Sequence, residues 1–279
     1  MVRRPYLLGS REAAERLVVA LDVTSMEEAR AWVERLWPEV RFFKVGLGLF
    51  TAAGPAAVHF IKERGGRVFL DLKYHDIPNT VAQAVASAAA LGADLLTVHV
   101  AGGRSMLERA VQAAEEAAAR HRQARPKIVG VTVLTSLDAR ALEEIGEALP
   151  LSDLALKRAQ LAKAAGLDGV VCSPLEARTV KLAGGPRFLA VTPGIRPAGA
   201  ELGDQARAAS PEMALQCGAD LLVVGRPILE APDPLAAARR ILSQMEAAMK
   251  EREGGAGRAA AGRDDAAPGA ERGKERGGA

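Results

Sequence analysis

Short runs of apolar residues recur along the chain, and longer stretches with apolar positions every three or four residues separate them. The runs fall at residues 17–21, 40–45, 68–70, 94–98, 128–134, 169–172, 188–191 and 220–224, and they read as eight strands. Helical spacing covers 26–36 (behind a Ser25 cap), 55–64, 79–91, 105–120, 153–165, 174–181, 211–216 and 234–250. Strands that are apolar throughout, instead of alternating, belong in a parallel sheet covered by helices on both faces. Eight strand–helix units is the number at which such a sheet closes on itself. An open doubly wound sheet is the competing arrangement. Asp22-Val23-Thr24 follows the first strand where that fold would carry a glycine-rich turn. The expected fold is therefore α/β, a single (β/α)8 TIM barrel spanning residues 1–250.

Composition narrows the picture. The 279 residues, 49% hydrophobic and 25% charged, suit one barrel domain. Past residue 250 the apolar periodicity ends; residues 251–279 are Gly, Ala and balanced charge, and are expected to be a disordered tail. A net charge of +3, with lysines and arginines dispersed and only 4% aromatic residues, argues against a nucleic-acid partner. No apolar run reaches the ~20 residues that span a membrane. Arg3, Arg4 and Pro5 open a segment without the apolar core of a secretion signal. Cys172 and Cys217 lack metal-ligand spacing and suggest a reducing compartment. A cytoplasmic protein is expected.

The densest chemistry lies at residues 68–80. Val68-Phe69-Leu70 is apolar, and Asp71, Lys73 and Asp76 follow at once, with Ile77-Pro78 turning the chain into a helix. In an extended strand residues two apart share a face, so Asp71 and Lys73 meet at the strand's end. The plain alternative is a solvated strand end with an incidental ion pair. Lys44 adds to the case, because a lysine inside an apolar strand needs a partner. Asp71 on the neighbouring strand is the natural one, giving an alternating array Lys44–Asp71–Lys73–Asp76. Asp22, Asp71 and Asp76 together would suit Mg²⁺, but two interleaved lysines already supply positive charge, and the four histidines form no metal motif. No metal and no cofactor are expected.

In a barrel the site forms at the carboxyl ends of the strands. Asp22, Lys44, Asp71 and Lys73 would lie there, with His99, Thr135-Ser136, Ser173, the run from Thr192 to Arg196, and Gly225-Arg226-Pro227. Loops after the last two strands commonly hold phosphate; Gly225 would allow close backbone approach and Arg226 a bidentate grip. Two glycine turns with solvated arginines are the competing reading there. The Gly- and Ala-rich stretch 197–209 is long for a connection and is expected to act as a lid.

Asp71-Leu72-Lys73-Tyr74-His75-Asp76-Ile77-Pro78-Asn79-Thr80-Val81 resembles the Asp-x-Lys-x-x-Asp motif of the orotidine 5′-phosphate decarboxylase family. The likeness extends to Leu21-Asp22, Phe43-Lys44-Val45-Gly46, Val133-Leu134-Thr135-Ser136, Thr192-Pro193-Gly194-Ile195-Arg196, Gly203-Asp204-Gln205 and Val224-Gly225-Arg226-Pro227-Ile228. A sister family of Mg²⁺-dependent sugar-phosphate enzymes shares the central motif but places a carboxylate at the position of Lys44. The resemblance implies a cofactor-free carboxy-lyase acting on orotidine 5′-phosphate. It implies Lys73 as proton donor, Asp71 beside the departing carboxylate, and Asp22 and Lys44 on the ribose. It further implies Thr135 on the pyrimidine edge, and Arg196, Gln205, Gly225 and Arg226 at the phosphate. Finally it implies a homodimer in which Asp76, Ile77 and Thr80 reach the neighbouring subunit's site.

Overall fold

The computed structural model describes residues 11–197 and 208–261, with side chains through Arg252. Its strands are β1 (Leu17–Leu21), β2 (Phe42–Gly46), β3 (Arg67–Tyr74), β4 (Leu95–His99), β5 (Lys127–Val131), β6 (Gly169–Val171), β7 (Leu189–Thr192) and β8 (Leu221–Val224). All pair in parallel with their sequence neighbours, and β8 pairs with β1 to close the barrel. The helices are α1 (Arg11–Arg16), α2 (Met26–Leu36), α3 (Leu47–Ala53), α4 (Pro55–Glu63), α5 (Pro78–Ala90) and α6 (Gly103–His121). They continue with α7 (Ala139–Glu144), α8 (Leu151–Ala164), α9 (Ala177–Gly184), α10 (Pro211–Gln216), α11 (Arg226–Leu229) and α12 (Pro234–Ala261). The expected (β/α)8 barrel is the observed fold.

Two apolar layers follow from the strands' alternation. Val18, Ala20, Phe42, Phe69, Leu95, Val129, Val191, Leu221 and Val223 fill the barrel interior. Residues of opposite parity, such as Val19, Phe43, Val45, Leu70 and Leu96, pack outward beneath the helices. Both faces of every strand are thus buried, which is why the runs are apolar without alternation.

Several boundaries differ from the sequence reading. A helix, α3, precedes the expected one and is divided from α4 by Gly54, at φ +58; Gly46 at its N-cap and Gly48 within it make the segment read as loop. β5 stops at Val131, three residues short of the expected end. Helices α1, α7 and α11 are too short to leave a periodic trace. Helix α12 runs past the expected boundary at residue 250 and continues through Ala261, where a closing run of three alanines favours helix. Residues 262–279 and the centre of the expected lid, 198–207, lie outside the described residues. The lid's two flanks are joined, with an Ile195–Ala209 bridge and Arg196 N donating to Ala209 O at 2.8 Å.

Candidate active site

The inward parity that carries the apolar interior also builds the site. Going up each strand, Val18 and Ala20 lead to Asp22, Phe42 to Lys44, Phe69 to Asp71, and Leu95 to Thr97. The barrel is therefore apolar at mid-height and charged at its carboxyl-end mouth. There a cavity of about 370 Å³ opens between β1, β2 and β3, with Asp22, Lys44, Gly46, Asp71 and Lys73 on its wall.

Asp71, 7% exposed, is the hub. Its Oδ2 is 2.9 Å from Lys73 Nζ and 3.7 Å from Lys44 Nζ. Its Oδ1 accepts the Thr97 hydroxyl at 3.0 Å. Lys44 lies closer to Asp22, at 3.1 Å, than to Asp71, so its nearer partner is across β1 and not the one its strand position suggested. Two glycines make room for this pair. A Cβ at Gly46 would stand 3.0 Å from Lys44 Nζ, and one at Gly225 3.0 Å from Asp22 Oδ2.

Asp71 and Lys73 meet as expected, but not through the strand's pleat. The β3–β4 register jumps from Leu70–Leu96 to Tyr74–Val98, so β3 carries two extra residues at the motif. Lys73 takes φ +49, a left-handed conformation that costs a side-chain-bearing residue energy. Its ammonium is swung back onto Asp71 by this bulge.

The expected four-membered array is corrected to three in one chain. Past Tyr74 the strand has ended, and Asp76 Oδ1 accepts from Ile77 N at 2.6 Å. Among the described residues Asp76 makes no ion pair. Asp76, Ile77 and Thr80 are exposed around the start of α5, and Ile77 is 68% exposed, unusual for a large apolar side chain.

Thr135, Arg196 and Gly225, which follow β5, β7 and β8, and Arg226, which opens α11, stand beyond the cavity wall. Burial, and then the charge of Arg226, hold the Arg196 guanidinium below its ordinary pKa, with Glu230 opposing; the two arginines are electrostatic neighbours. Such a pair attracts an anion. Gln205 lies outside the described residues. Ser173, a further polar residue at a strand end, is fully buried and its N–H donates to Glu176 Oε2 at 3.0 Å.

His99 stacks on His75 with ring centroids 5.2 Å apart. Burial first, then the charges of His75, Arg158 and Lys73, push its pKa down to about 4, so it is neutral near pH 7. Burial also raises the Tyr74 phenol to about 12, which removes it as a base. Among the described residues no three His, Cys, Asp or Glu side chains are grouped to hold a metal ion, and no helix is long and apolar enough to cross a membrane.

Thr97 escaped the sequence reading, because threonine in a strand is ordinary. The detectable trace was its parity: it is the inward residue of β4 at the level where the neighbouring strand carries Asp71.

Residues 15–241 match the family model described as orotidine 5′-phosphate decarboxylase / HUMPS family. An orotidine 5′-phosphate decarboxylase of Moorella thermoacetica is 53% identical over 84% of this chain and 93% of its own length. One of Trichlorobacter lovleyi is 46% identical over 86% of this chain and 98% of its own. The crystal structure of orotidine 5′-phosphate decarboxylase from Lactobacillus acidophilus superposes with a TM-score of 0.74 at 39% identity, covering 82% of this chain and 98% of that one.

Proposed function

The chain belongs to the orotidine 5′-phosphate decarboxylase / HUMPS family, and on that premise we propose that it converts orotidine 5′-phosphate to UMP and CO2 in pyrimidine biosynthesis, with neither metal nor organic cofactor. The observation that carries this reading is the Lys44–Asp71–Lys73 array on the wall of the β1–β3 cavity.

Decarboxylation breaks the bond from C6 of the pyrimidine to its carboxylate and leaves the electron pair on C6, where the ring offers no conventional sink. Preorganised positive charge is the remaining way to lower that barrier. Lys73 faces the developing carbanion and donates a proton from Nζ to C6; CO2 departs, and the amine is reprotonated from solvent. Asp71 sits beside the substrate carboxylate and keeps the Lys73 ammonium aimed at the reacting carbon. Asp22 and Lys44, paired to each other, take the ribose hydroxyls. Thr135 reads the pyrimidine edge. Arg196 and Arg226, with Gly225 and Gln205, take the phosphate; the charge of Arg226 acting on the half-buried Arg196 supports an anion between them.

A homodimer completes the site. Asp76, without an ion pair among the described residues, reaches with Ile77 and Thr80 into the neighbouring subunit's cavity, and their exposure supports this role. Cys172 and Cys217 are thiols and form no disulfide, which supports a cytoplasmic setting.

Substrate with a labelled carboxylate tests the reaction: release of label as CO2 with equal formation of UMP is expected, and intact substrate would refute it. The shared site has its own test. Inactive Lys73→Ala and Asp76→Ala proteins, mixed and allowed to exchange subunits, should regain about a quarter of wild-type activity, since half the dimers are mixed and each holds one intact site. No recovery after proven exchange would remove Asp76 from the partner's site.

A further inference from the structure

We propose that Thr97 is a positioning residue for the decarboxylation, its hydroxyl setting the geometry of Asp71 and Lys73 together. The inference rests on the decarboxylase reading and deepens it.

The β3 bulge explains why such a residue is needed. Between the Leu70–Leu96 and Tyr74–Val98 pairs, β3 has three residues where β4 has one, and that one is Thr97. Regular backbone pairing cannot serve the bulge. Instead the Lys73 N–H donates to Thr97 Oγ1 at 2.8 Å, so a side chain stands in for the missing strand carbonyl. The same hydroxyl spends its single proton on Asp71 Oδ1 at 3.0 Å. One buried hydroxyl, with 0% exposure, thereby accepts from the backbone of the proton donor and donates to the carboxylate between the two lysines.

Both bonds bear on the chemistry. The Lys73 bond holds a left-handed backbone that would otherwise relax toward an extended one and carry the ammonium away from Asp71. The Asp71 bond fixes which carboxylate oxygen is left for the lysines: with Oδ1 engaged, Oδ2 faces both ammonium groups. Thr97 lines no part of the cavity, so its influence passes through these two groups alone. Misplacement of a reacting group by a fraction of an ångström penalises the chemical step more than substrate binding.

The test compares Thr97→Val, which keeps shape and strand propensity but loses the hydroxyl, with Thr97→Ser, which keeps the hydroxyl. Wild-type protein is measured alongside for kcat, KM and Tm. Thr97→Val should lose on the order of 10- to 100-fold in kcat, the effect of a hydrogen bond to a charged group, with KM within about twofold of wild type. Thr97→Ser should recover most of that loss. Equal activity of Thr97→Val and wild type would overturn the proposal. So would equal losses in both variants, which would show that keeping the hydroxyl does not keep the activity, or a Thr97→Val protein that does not fold, which would make the hydroxyl a stability element. An inactive wild type would instead be a failure of the decarboxylase reading itself.

Discussion

Both rims of the barrel carry carboxylate–cation pairs, and the two sets differ in everything but their chemistry. At the amino-end rim Asp94, Asp168 and Asp220 each stand just before an even-numbered strand. Each accepts the N–H of the second residue of the preceding strand (Val68, Ile128 and Ala190) at 2.7, 2.8 and 2.8 Å. Each returns its own N–H to the carbonyl of that same residue, and each is paired with one cation: Lys62, Arg125 and Lys181. The repeat ties neighbouring strands together and leaves the aspartates satisfied by backbone. At the carboxyl-end rim, Asp71 shares one oxygen between two lysines, accepts no backbone N–H among the described residues, and faces a cavity. Ion pairs alone therefore do not mark an active site. What marks it is one carboxylate shared between two ammonium groups, beside open space and on a strained backbone.

Substitutions at the two rims should separate turnover from stability. The largest effect is expected from Lys73→Ala, which should lower turnover by at least ~10³-fold, as loss of a proton donor that also stabilises charge does. Its unfolding curve should overlay that of wild type; substantial residual activity would dismiss Lys73 as donor. Asp168→Ala strikes the opposite rim. It strips Ile128 N–H and the two-pronged Arg125 contact of their acceptor and should cost about 2–4 kcal/mol in denaturant unfolding, with kcat per folded molecule unchanged. A drop in kcat there would erase the division between rims.

The smallest effect concerns acid. His99 is neutral in the fold, with a pKa of about 4 against an ordinary 6.5, so the unfolded chain binds the extra proton first as pH falls. Stability should be full above pH 6.5 and decline progressively toward pH 4. His99→Asn should flatten the decline in Tm across that window, and an unchanged slope would assign the acid sensitivity to other groups.

The barrel was legible because eight doubly buried strands leave eight apolar runs, and inward parity was enough to bring Asp22, Lys44 and Asp71 to one mouth. Strand ends were less so. Asp94 and Asp220, read as first residues of strands, stand just outside them as rim ligands. The Asp71–Lys73 contact was foreseen from the pleat, yet it arises from a two-residue bulge and a left-handed lysine that no local pattern announces. Asp76 looked like a fourth member because it is close in sequence; the strand's end at Tyr74 takes it out of reach. Thr97 was hidden by its own strand propensity, since its importance lies in what stands across from it.

The central claim is that the carboxyl-end array does its chemistry on orotidine 5′-phosphate without a metal. Loss of the substrate's ultraviolet absorbance, followed after treating purified protein with EDTA, tests it most directly. Full, rapid loss with no metal added and no gain from Mg²⁺ is expected. An inert protein that acts only once Mg²⁺ is restored, and then on a sugar phosphate, would contradict it and would require a new role for Lys44.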